Sequence, residues 1–134
     1  MSRILRSVAT QLGPAAREEP RASAVARMIA LMVAAQAEGC DRVAVPAPAL
    51  TTFFPRRFFE DQAEVDALFE TAMLNPGRQP LFDRARALGI AFTPGCADNE
   101  NGTHFNAQFL VDTAGRIVNR YRNVHLPSHH DHEP

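Results

Sequence analysis

Apolar positions along this chain follow two spacings, and the switches between them mark its elements. Ile4 to Thr10 reads as a strand with Ile4 and Val8 on one face. Gly13-Pro14 is a turn signal inside the loop from Gln11 to Arg17. From Arg21 to Glu38 the spacing becomes helical. Val25, Met28, Ile29 and Met32 stand at i, i+3, i+4 and i+7, one stripe of a helix laid on a sheet. Many alanines in the same span raise its helix propensity, and Gly39 supplies the left-handed residue that stops it. The methionines of that stripe read as core packing rather than as a soft ligand surface. Cys40 to Val45 is a short apolar run suited to a buried strand, so the opening unit is β-α-β with a parallel crossover.

Further along, Asp61 and Glu64 stand three apart, a capping-box pattern for a short helix through about Glu70. Asn75-Pro76-Gly77 is a turn, and Pro80 sits where a first helical turn tolerates it. Leu81, Ala85 and Leu88 make a second helical stripe that Gly89 ends. Ile90 to Thr93 is a third strand, which leads through Pro94-Gly95 into an Asn/Asp/Gly-rich loop from Asp98 to Thr103. Phe105 to Asp112 and Arg116 to Tyr121 are strands around Thr113-Ala114-Gly115, a bulged hairpin. Strands alternating with helices, followed by a hairpin, place the chain in the α/β class. No internal repeat or low-complexity tract breaks it up.

Composition narrows the field. A chain of 134 residues with 46% hydrophobic and 22% charged positions suits one soluble globular domain. A net charge of −1 leaves no basic excess to neutralise phosphates, which argues against a nucleic-acid partner. No apolar run is long enough to span a bilayer, and the N-terminus lacks the apolar core of a secretory signal. Cys40 and Cys96 lie far apart without metal or redox spacing, as expected of a reducing cytoplasm.

The stretch from Val43 to Arg56, VAVPAPALTTFFPR, concentrates the candidate chemistry. Pro46 and Pro48 end the second strand because neither can donate a ladder hydrogen bond, and a loop with two threonines, two phenylalanines and an arginine follows. Loops at strand ends are where α/β proteins carry binding and catalytic groups. Elsewhere, Cys96 could pair with a histidine but reads better as a buried structural thiol. Asp98 and Glu100 could form a carboxylate pair but read better as solvated turn residues. Phe53, Phe54, Phe58 and Phe59 would cover a core edge or wall a pocket. His125, His129, His130 and His132 sit at spacings that could take up zinc, although a frayed tail over 128–134 is the plainer reading and no metal site is expected.

Leu50-Thr51-Thr52-Phe53-Phe54-Pro55-Arg56, together with Pro46, resembles the loop of the N-carbamoyl-D-amino-acid amidohydrolases of the nitrilase, or carbon–nitrogen hydrolase, superfamily. Gln11-Leu12-Gly13-Pro14, Phe105-Asn106, Val111-Asp112 and Tyr121-Arg122-Asn123-Val124-His125-Leu126-Pro127 are similar to further segments of that family. The resemblance implies the N-terminal portion of an αββα four-layer sandwich over residues 1–127, incomplete because its second half lies beyond Pro134. It also implies hydrolysis of a carbamoyl amide by a Glu-Lys-Cys triad, without cofactor, on a small N-carbamoyl amino acid. A cysteine thiolate attacks the carbonyl, a glutamate handles the proton, and a lysine stabilises the developing charge.

In this chain Ala47 stands at the glutamate position and Asn123 at the lysine position, while the nucleophile would come after Pro134. Thr51, Phe53, Phe54, Arg56, His125 and His129 are then remnants of a substrate pocket. The expectation is a truncated, catalytically silent relative. The alternative is a non-catalytic module that docks on itself, as a homo-oligomer, or on a complete homologue.

Overall fold

The computed structural model describes residues 4–13, 15–16, 18–46, 49 and 59–124. Among the described residues nine elements follow in the order β1 (Ser7–Ala9), α1 (Arg21–Ala37), β2 (Arg42–Ala44), α2 (Gln62–Asp66), α3 (Gln79–Leu88), β3 (Ala91–Thr93), β4 (Gly95–Glu100), β5 (Thr103–Val111) and β6 (Ile117–Arg122). They build one sheet in which β1 pairs with β2 and β2 with β3, all parallel. From there the sheet is antiparallel: β3 and β4 both pair with β5, and β6 pairs with β5. Pro94 separates β3 from β4, yet its carbonyl accepts the Phe109 amide at 2.9 Å, so the two run along the same edge of β5. This is an α/β half-sandwich, a sheet with α1 and α3 on one face.

The two longer helices are shaped by the positions that had to be apolar. On α1, Val25, Met28 and Met32 are buried and Ile29 packs at the margin of the core. On α3, Leu81, Phe82 and Ala85 are buried and Leu88 is marginal. Against them the sheet presents Val43, Phe92, Phe109 and Val111, all buried on the same face. Phe82 meets Phe92 edge to face at 5.5 Å, an arrangement in which the positive ring edge points at the negative ring face. Gly39 and Gly89 end the two helices with φ of 73° and 63°. The opposite face, which carries His104, meets the end of α2 through Asp66.

Three expectations change in extent. The first strand pairs only over Ser7–Ala9, and Ile4 is 84% exposed, because β2 offers partners to those three residues alone. The helix begun by Asp61, whose carboxylate accepts the Ala63 amide at 2.9 Å, stops at Asp66 rather than near Glu70. Glu70 instead bridges to β4: its amide donates to the Ala97 carbonyl at 2.8 Å, and its carbonyl accepts the Asn99 amide at 2.7 Å. The segment expected as a loop from Asp98 to Thr103 is mostly strand. β4 runs through Glu100, and only Asn101-Gly102 turns, with φ of 53° and 83°, the two left-handed residues of a tight hairpin.

Candidate functional site

β2 and β3 are parallel, β3 and β5 antiparallel, and β5 and β6 antiparallel, so β2 and β6 point the same way. Their C-terminal ends leave the sheet along one edge with two strands between them, about 14 Å apart at the usual strand spacing. At the β2 end, the Val45 amide still reaches the Thr93 carbonyl at 3.4 Å, and Pro46 breaks the ladder. At the β6 end, the Asn123 amide donates to the Asn106 carbonyl at 2.8 Å and its side chain is exposed. Of the residues matched to the family's catalytic and pocket positions, only Asn123 is placed, and of the four phenylalanines only Phe59, which is half-buried. Ala47, Thr51, Phe53, Phe54, Arg56, His125 and His129 lie outside the described residues, as do Phe58 and the histidine-rich tail.

Beside this edge, on the helix side of the sheet, lies a lattice of charge. Asp98, taken from sequence as a solvated turn residue, is 3% exposed in β4. Arg122 donates to it through Nε at 3.2 Å and through a terminal nitrogen at 3.1 Å, and Arg120 approaches the same oxygen at 3.2 Å. Glu100, which is exposed, accepts from Arg120 at 2.9 Å and from Arg122 at 2.8 Å. The correction has a physical reason. Cross-strand partners share a face, so Asp98 pairs with Phe105 and Ala107 with Arg122, which brings carboxylate and guanidinium together across β5. Arg122 also lies over the Phe105 ring, 3.7 Å from its centre, and Arg120 lies 6.0 Å from that of Phe109.

A second cluster lies deeper. Arg78, just before α3, has no exposed surface. It donates to the Met73 carbonyl at 3.4 Å and sits 3.1 Å from the Met73 sulfur and 3.4 Å from Glu70 Oε1. Glu70 also pairs with Arg21 at the start of α1 and accepts from Asn75 at 2.9 Å. Cys96 lies next to this group. Burial pushes its thiol above the ordinary cysteine range, only partly opposed by Arg78, so the thiol stays neutral and is a poor nucleophile. Nearby, His104 stacks on Phe69 with ring centres 3.8 Å apart, and its Nε2 lies 3.2 Å from Asp66. No group of three or more His, Cys, Asp or Glu side chains converges as a metal cradle among the described residues. Sequence reasoning passed over Arg78, Arg120 and Arg122; the only signal for the last two was arginines at alternate positions of β6 matching acids at alternate positions of β4, on the far side of β5.

A family model described as carbon–nitrogen hydrolase matches residues 8–134. The fold is similar to that of an amidase from Nesterenkonia sp., with a TM-score of 0.70 and 17% identity over 92% of this chain and 44% of that one. It is also similar to a carbon-nitrogen hydrolase from Helicobacter pylori G27, with a TM-score of 0.74 and 14% identity over 92% of this chain and 40% of that one. An N-terminal amidase matches with a TM-score of 0.72 and 15% identity, covering 92% of this chain and 28% of its own. The chain spans less than half the length of these solved structures.

Proposed function

The chain belongs to the carbon–nitrogen hydrolase family, and from that premise we propose that its 134 residues supply the frame of an N-carbamoyl-D-amino-acid amidohydrolase without the groups that react. In such an enzyme the carbamoyl amide is cleaved to the free D-amino acid, carbon dioxide and ammonia. One observation carries the reading. The two strands that should deliver the glutamate and the lysine end on one edge of the sheet, the first at Pro46 and the second at Asn123.

At those positions the chemistry is absent. Ala47 offers no proton acceptor, and a positioned general base contributes about 10² to 10⁴ in rate. Asn123 can donate a hydrogen bond but carries no charge to balance an oxyanion. Cys96, the one buried thiol of β4, is held neutral and cannot stand in for the nucleophile. Thr51, Phe53, Phe54, Arg56, His125 and His129 would line the pocket for the N-carbamoyl amino acid, in a cytoplasmic protein.

A second reading is supported by the face of the sheet opposite α1 and α3. Leu5, Leu110 and Val118 border a depression of about 400 Å³ there, and Tyr121 on the same face is 58% exposed. Such a face suits a module that docks on a second copy or on a complete homologue. One preparation tests both readings. The tagged chain is purified from its host, its companions are identified, and ammonia release from N-carbamoyl-D-amino acids is followed at high protein loading. No release above the blank supports the first reading, and a co-purifying homologue supports the second. Turnover by the free chain would overturn the claim of inactivity.

A further inference from the structure

β6 is an unusual strand energetically. Its residues from Ile117 to Tyr121 are all exposed and only Arg122 is half-buried, so it contributes no side chain to the core. Backbone pairing with β5 and the arginine–carboxylate lattice are what hold it. The lattice reaches over β5 to β4: Arg120 and Arg122 each bond both Asp98 and Glu100, and Arg122 packs on Phe105 in between. The next peptide is the one that matters for the site, because the Asn123 amide is tied to the Asn106 carbonyl at 2.8 Å.

We propose that this lattice is a latch that seats β6, and that Asp98 is a positioning residue for position 123. Asp98 carries most of the hold because it is buried, and a buried carboxylate gives its guanidinium partners an interaction that solvent screens little. Glu100, at the exposed rim, steadies both arginines more weakly. With the latch closed, residue 123 leaves the sheet in one direction. With it open, β6 separates from β5 while the α1/α3 core stays intact, a local rather than a global opening. The catalytic meaning of the latch rests on reading position 123 as the family's lysine position; the latch itself does not.

Amide hydrogen exchange separates those two claims, since it reads β6 whether or not residue 123 is catalytic. In Asp98→Asn, the β6 amides that pair with β5 and the Asn123 amide should exchange about 10-fold faster or more, with Val43 and Phe92 in the core little changed. Glu100→Gln, a milder variant, should show the same pattern at smaller amplitude. A second readout uses the fact that all fourteen basic residues of this chain are arginine. Asn123→Lys therefore introduces its only lysine, whose side-chain methylene resonances should form one sharp set and broaden or split when Asp98→Asn is added. Exchange that rises equally in β2, β3 and β6, or a lysine signal indifferent to Asp98→Asn, would overturn the latch.

Discussion

Arg78 and Glu70 show how a charge is kept inside a small domain. A guanidinium with no exposed surface survives because Glu70 sits beside it and the Met73 carbonyl accepts one of its protons. Glu70 in turn joins the start of α1, through Arg21, to the approach to α3. Removing its charge would leave Arg78 buried without its countercharge, a loss of about 3–5 kcal/mol for such pairs. Glu70→Gln should therefore lower the free energy of urea unfolding by that amount, and a change under about 1 kcal/mol would show that Arg78 is neutralised elsewhere. None of this was legible in sequence. Arg78 lies among turn residues, Asn75 to Gly77, and nothing in apolar periodicity separates it from a surface arginine. Asp98 misled for a related reason: beside Asn99, Asn101 and Gly102 it carries the local chemistry of a loop, and only its partners on β6 make burial tolerable.

At the scale of elements, those with a strong period were readable. α1 and α3 fall within a residue of expectation because helical apolar stripes, a proline near one start and a glycine after each end all agree. The β5–β6 hairpin was readable for its turn chemistry, and the register shift at Leu110/Val111 is the expected bulge. Its turn is held by Asp112, whose carboxylate accepts the Ala114 and Arg116 amides at 2.9 Å each and the Arg116 side chain at 2.9 Å. The bond from the Arg116 backbone is the chief reason its carboxyl titrates below the ordinary aspartate range. A carboxyl depressed in the fold stabilises it above the unfolded-state pKa and loses that contribution as pH falls through its folded value. Asp112→Asn should accordingly lower Tm at neutral pH, and the gap from wild type should close once acid protonates Asp112; a pH-independent gap would exclude this role. β4 was the least readable element. Its sequence, Gly95 to Glu100, has no apolar alternation, and the Asn-Gly turn that closes its hairpin was absorbed into a loop.

For the whole molecule, the described residues form one sheet with α1 and α3 on one face, and the chain spans less than half of the solved relatives it matches. Family membership was legible because the loop from Leu50 to Arg56 and the Tyr121–Pro127 segment are long, specific strings. The arrangement of the site was less so, because which strand ends share an edge depends on pairings far apart in sequence. The central claim is the proposal that position 47, next after Pro46 where the β2 ladder ends, faces position 123 at the end of β6. A distance between spin labels at Ala47→Cys and Asn123→Cys, in a Cys40→Ser, Cys96→Ala background, tests it most directly. The account predicts one narrow distribution near the three-strand separation of about 14 Å plus the label arms. A distribution centred at twice that or more would contradict it.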